Sequence, residues 1–206
     1  MILILAPHTD DGEWGAGGSI IKWKMGGAKI FHLALSDCRE SVPSNLPGDI
    51  LRKEFKKSNQ IIGLNSSETQ ILDFPVRCFS SHRQDILECF ISYRDKLQPD
   101  LIICPSSFDT HQDHAVVCQE AFRAFKRSSI LGYEMPWNNR NIELSYYVPL
   151  EEHHVNLKQE LINSYNSQIF RAPNFREIIS GLATLRGSQI NQTYAEAFEA
   201  IRVIEK

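Results

Sequence analysis

The chain has 206 residues, 42% hydrophobic and 23% charged, which supplies one sizeable core and excludes a disordered chain. A net charge of −3 gives no general attraction to nucleic acid or an anionic membrane, and no apolar run approaches the roughly 20 residues of a membrane-spanning helix. Five scattered cysteines without a C-x-x-C pair argue against a disulfide scaffold or thiolate metal site, and the short apolar start lacks a signal peptide's basic flank, so a cytoplasmic location with reduced thiols is expected.

Strand-like and helix-like segments alternate through the first 130 residues or so. Met1–Ala6 reads as a buried strand, and Gly17–Met25 as a helix closed by Gly26-Gly27. Lys29–Leu35 is strand-like, Asp49–Ile62 helical and Thr69–Phe74 a third strand. His82–Leu97 is an amphipathic helix stopped by Pro99, Asp100–Cys104 a fourth strand, His114–Lys126 a helix and Ile130–Glu134 a fifth strand. Beyond these, Leu144–Val148 reads as a strand, Val155–Gln168 and Asn174–Leu185 as helices, and Tyr194–Ile204 as a terminal helix or strand. Repeated strand-helix units predict an α/β fold, a Rossmann-like three-layer sandwich with a mainly parallel sheet. One domain over residues 1–206, with a C-terminal elaboration from about residue 144, is expected.

Two polar clusters directly follow predicted strands. Pro7-His8-Thr9-Asp10-Asp11-Gly12-Glu13 follows the first, and Asp109-Thr110-His111-Gln112-Asp113-His114 the fourth. In open parallel sheets the loops at the carboxyl ends of strands meet where strand order reverses, which brings these two clusters together. Two imidazoles and a carboxylate suit a catalytic zinc ion that keeps a position for water; His8, Asp11 and His114 supply that set. Asp10 then stands ready as a proton acceptor. His111 is left to stabilise an oxyanion or protonate a leaving nitrogen, with Asp113 raising its pKa and fixing its ring. Taken alone, His-x-Asp-Asp is more simply a helix N-terminus; the pair of clusters is what points to a site. Gly15, Gly17 and Gly18 read as tight strand-helix packing rather than a dinucleotide fingerprint.

The segment Ala6-Pro7-His8-Thr9-Asp10-Asp11-Gly12-Glu13-Trp14-Gly15-Ala16-Gly17-Gly18 resembles the opening motif of the PIG-L / LmbE-like zinc N-deacetylases, and His111-Gln112-Asp113-His114 resembles their second motif. Tyr194–Glu199 is also similar to bacterial members. The resemblance implies a Rossmann-like fold and a hydrolase that deacetylates an N-acetylglucosamine unit carried on another group. It implies His8, Asp11 and His114 as Zn2+ ligands, Asp10 as general base, His111 as stabiliser of the tetrahedral intermediate and Asp113 as its carboxylate partner. The proline that usually follows the first histidine stands before it here, as Pro7, and Gln112 replaces the second motif's proline. Leu51 stands where many relatives carry a substrate-binding arginine, with Arg52 one place on.

Candidate substrate contacts are Trp137, Asn138 and Arg140 after the fifth strand, with Arg77 and Arg83. His153-His154 reads as a polar helix start rather than a second metal site. The expected partner is a small amino-sugar substrate; a homo-oligomer is compatible with the sequence, and another divalent transition metal with the donor set. A non-catalytic sugar or nucleotide-sugar binding protein on the same fold is the alternative reading, and a metal-dependent phosphoesterase a weaker third.

Overall fold

The computed structural model describes residues 1–205. In chain order it contains β1 (Ile2–Ala6), α1 (Asp11–Met25), β2 (Ile30–Ala34), α2 (Ile50–Ile62), β3 (Thr69–Ile71), α3 (Arg83–Leu97), β4 (Leu101–Pro105), α4 (Gln112–Ala124) and β5 (Ser129–Tyr133). There follow β6 (Tyr146–Leu150), α5 (Glu152–Asn163), α6 (Phe175–Ser188) and β7 (Tyr194–Arg202). The strands form one seven-stranded sheet in the order β3-β2-β1-β4-β5-β7-β6. The first five are parallel, and β7 and β6 close the sheet antiparallel. The expected α/β sandwich with a mainly parallel sheet is what forms.

The inner strands β1, β2, β4 and β5 are mostly apolar and buried because both faces of the sheet are covered there. Alternation along β1 divides its side chains between two cores: Ile2 and Ile4 pack with Ile20, Leu161 and Phe198, while Leu3 and Leu5 pack with Phe90, Val117 and Phe125. Helices α3 and α4 thus cover one face, and α1, α5 and α6 the other.

Several boundaries differ from expectation, and one open alternative is decided. Helix α1 begins at Asp11 rather than Gly17, since Asp11 and Glu13 sit in its first turn, where carboxylates complement the helix dipole. Its glycines are packing glycines: a Cβ on Gly15 would overlap the Tyr133 ring, and one on Gly18 would come within 2.6 Å of Leu150. Strand β6 runs past Pro149, tolerated there because β6 is a sheet edge. The end of the chain is a strand, with Ala195, Ala197 and Phe198 buried along it. The His153-His154 pair is a helix start: the His154 ring accepts from the Glu151 N–H at 2.9 Å in a reciprocal cap at the head of α5.

Candidate active site

Strand β1 lies between β2 and β4, so the order reverses beside it, and the loops leaving β1 and β4 face one another. The His8 N–H donates to Asp11 Oδ2 at 2.8 Å, folding the first loop onto the start of α1. Three donor atoms then converge. Asp11 Oδ2 lies 3.0 Å from His8 Nδ1 and 3.2 Å from His114 Nε2, and the two ring nitrogens are 3.4 Å apart. Zinc–ligand bonds of about 2.0–2.1 Å at tetrahedral angles space ligand atoms about 3.3–3.4 Å apart, so these residues fit such an ion. A looser trio, His8, His111 and His114, has ligand atoms within 4.8 Å of one another. The set containing Asp11 is tighter and mixes imidazole with carboxylate.

Each imidazole of the tighter set has a carboxylate behind it. His114 Nδ1 is 2.7 Å from Asp109 Oδ2, and His8 Nε2 is 3.1 Å from Asp113 Oδ2. Such partners fix the ring orientation of metal-binding histidines. The two oxygens of Asp113 are further held by the backbone N–H groups of Arg77 at 2.6 Å and Phe79 at 3.2 Å. This corrects the pairing of Asp113 with His111. The His111 ring instead caps α4, its Nδ1 accepting from the Asp113 N–H at 3.2 Å. A nitrogen that accepts carries no proton, so the neutral ring holds its hydrogen on Nε2. The expected rise in the His111 pKa is corrected too: burial, then the neighbouring His114 and His8, lower it, and Asp113 opposes them as a smaller influence.

The charges of the metal-free chain are consistent with a cation site. Burial pulls the His8 and His114 pKa values down, but Asp11, with Asp113 and Asp109, outweighs it and raises them to about 9 and about 10. Burial pushes Asp11 up, while the two imidazoles hold it well below the usual carboxylate range. Asp10 differs from its neighbour. Burial first, then the charges of Asp11 and Glu13, raise it to about 7, the range of a general base working near neutrality.

These residues open into a cleft of about 590 Å³. Asp10 and His111 line it, as do Trp137, Asn138 and Arg77. Trp137 is 54% exposed and meets Trp14 edge-on, with ring centroids 5.0 Å apart. Arg77 is exposed and left-handed at φ 68°, a conformation that costs a non-glycine residue about 1 kcal/mol or more. Two predicted contacts lie elsewhere. Arg83 is spent on Glu120 of α4, at 2.8 Å and 2.5 Å, because that carboxylate is fully buried between α3 and α4 and requires a cation. Arg140 is exposed and outside the cleft lining. Leu51 does form cleft wall, while Arg52 turns to Asp37 at 2.8 Å.

Sequence reasoning gave no role to Asp109, although it stands two residues before His111. It missed Trp14, hidden among the glycines of the first motif. Tyr165, 156 residues from Thr9, carried no local signal; its hydroxyl lies 2.6 Å from the Thr9 carbonyl oxygen and 2.7 Å from Glu13 Oε1.

The family model described as PIG-L, GlcNAc-PI de-N-acetylase, matches residues 3–125. Among solved structures, a conserved protein of Thermus thermophilus is similar at TM-score 0.84 and 22% identity, over 100% of this chain and 96% of that one. The N,N'-diacetylchitobiose deacetylase of Pyrococcus horikoshii is similar at 0.80 and 20% identity, over 96% of this chain and 82% of that one. The 4-carboxy-2-hydroxymuconate hydratase of Pseudomonas putida is similar at 0.79 and 19% identity, over 100% of this chain and 98% of that one. At these identities the likeness is one of fold.

Proposed function

Because the chain belongs to the PIG-L family, we propose that it is a zinc-dependent N-deacetylase hydrolysing the acetamide of an N-acetylglucosamine-type amino sugar or its conjugate. The observation that carries this reading is the His8–Asp11–His114 triangle, 3.0 to 3.4 Å on its edges, with Asp10 beside it in the cleft. Zinc at such a site polarises a carbonyl and makes water a better nucleophile near neutral pH.

The remaining steps belong to this chain's side chains. The Asp10 carboxylate accepts a proton as water adds to the acetamide carbon. His111 offers its Nε2 hydrogen to the oxygen on which negative charge develops. The C–N bond then breaks, a proton passes to the departing nitrogen, and acetate and a free amine leave. Trp137 and Asn138 provide a ring face and an amide for the sugar. Asp113 and Asp109 act on the histidines rather than on substrate.

The direct test is acetate release from a panel of N-acetylamino sugars and conjugates, comparing zinc-loaded protein, chelated protein and Asp10→Asn. Release that needs both metal and Asp10, with the variant at least about 100-fold slower, supports the reading. Sugar binding without release by zinc-loaded protein overturns it in favour of the non-catalytic alternative.

A further inference from the structure

Three observations at Arg77 are not used by the hydrolysis. Its backbone is left-handed, φ 68°, in a residue with a full side chain. Its N–H donates to Asp113 Oδ2 at 2.6 Å, and the same oxygen lies 3.1 Å from His8 Nε2. Arg77 is exposed and lines the cleft, yet among the described residues its side chain has no hydrogen-bond, ion-pair or ring partner.

That last point separates it from the other arginines close to carboxylates. Arg39 and Arg52 serve Asp37, Arg83 and Arg123 serve Glu120, and Arg186 serves Glu134. The second arginine of the cleft lining, Arg171, is placed 3.3 Å from the Ser41 carbonyl oxygen. Arg77 alone of the cleft arginines has its donors free among the described residues. Its position is also fixed: one carboxylate oxygen separates its amide from the His8 ring, so its side chain starts at the wall of the reacting centre.

We propose that Arg77 is a specificity-determining residue that binds an oxyanion, phosphate or carboxylate, carried on the amino sugar or on the group joined directly to it. The inference rests on the amino-sugar reading above and narrows it to anionic conjugates. The guanidinium fork matches both oxyanions bidentately. The short span from the Arg77 backbone to His8 places the charge near the scissile acetamide, not at the far end of a long aglycone.

The test is equilibrium binding by calorimetry, at fixed ionic strength, to zinc-loaded Asp10→Asn protein. The probes are the methyl glycoside of N-acetylglucosamine, its carboxymethyl glycoside, and N-acetylglucosamine 1-phosphate. The two anionic probes should bind at least about tenfold tighter than the methyl glycoside, as a charge-assisted contact provides; whichever binds tighter identifies the oxyanion. Adding Arg77→Gly should bring all three within about twofold, since glycine keeps the left-handed backbone and its hold on Asp113 while losing the guanidinium. Arg77→Ala should do the same, and Arg77→Lys should keep part of the preference. Lack of discrimination among the probes, or a preference that survives in Arg77→Gly, overturns the proposal. An Arg77-dependent preference in a protein whose wild type releases no acetate overturns the deacetylase reading and leaves this one standing.

Discussion

Asp109 is a single carboxylate that serves both histidines of the second cluster. Its Oδ2 is 2.7 Å from His114 Nδ1, and its Oδ1 accepts from the His111 N–H at 2.8 Å. It also lies 3.4 Å from Asn138 Nδ2, so the proposed metal ligand, the proposed oxyanion donor and the substrate wall share one anchor. Asp109→Asn keeps the volume and loses the charge that orients His114. The expected result is zinc affinity lower by about 10–100-fold in competition against a chelator of known strength. Affinity equal to wild type would show that His114 is oriented by packing alone. The proposed ligand residues were legible because they fall in two short clusters directly after apolar strands. Their partners were not. Whether Asp113 supports His8 or His111 depends on which way one side chain turns at the head of α4, and residue spacing carries no information on that rotation. Arg83 misled for a related reason: only the fold shows that Glu120 is buried and takes hydrogen bonds from Arg83 and Arg123.

At the scale of elements, α1 is held against the sheet through glycines, and two of the chain's glycines should respond in opposite directions to the same substitution. A Cβ on Gly15 would overlap three atoms of Tyr133, and that tyrosine is completely buried and has no room to swing aside. Gly15→Ala should therefore destabilise by about 2 kcal/mol or more, lowering Tm by about 4–8 °C. Gly181, on an exposed turn of α6, has nothing within 4 Å of its would-be Cβ. Gly181→Ala should stabilise by about 0.5–1 kcal/mol, as alanine does in an open helix interior. Urea denaturation of both variants checks the pair, and a stabilised Gly15→Ala would mean that α1 sits further from β5 than described. Sequence pattern located α1 but not its first turn, because Asp11, Gly12 and Glu13 read as loop chemistry until the β1 carboxyl end and the dipole of α1 are seen to need them there. It likewise placed β6 two residues early, at 144–148 rather than 146–150, and the strand runs through Pro149 because it is a sheet edge. From sequence alone Tyr194–Ile204 reads equally as helix or strand, and the pairing of β7 with both β5 and β6 decides for strand.

For the whole molecule, fold alone does not fix chemistry: chains of similar shape include a sugar deacetylase and a hydratase. The family match ends just after α4, whereas much of the far wall of the cleft comes from later residues, among them Ile162, Tyr165, Arg171 and Ile178. The part of the chain that holds the proposed ligands is thus distinct from much of the part that shapes the cleft. What joins the β1 and β4 loops is the charge at their meeting point, and this gives a pH-dependent prediction. In the metal-free chain His8 and His114 have pKa values of about 9 and about 10, above the ordinary imidazole value of 6.5. Their protons therefore stabilise the fold fully below about pH 6.5, and that contribution is lost as pH rises through 9 and 10. Zinc needs both rings neutral at the ligating nitrogen, so near pH 7 its binding must expel up to two protons, one from each ring. Apparent zinc affinity should then climb steeply between about pH 6 and pH 8, with proton release measurable by calorimetry in buffers of different ionisation enthalpy. At free zinc about 100 times its Kd the fold should gain about 2.7 kcal/mol, raising Tm by about 5–10 °C. The increment should shrink as pH falls, because protons and metal compete for the same nitrogens, and it should disappear in His114→Ala. A zinc-induced rise that does not change with pH would mean that the ion binds away from the two imidazoles, and the ligand assignment would fall with it.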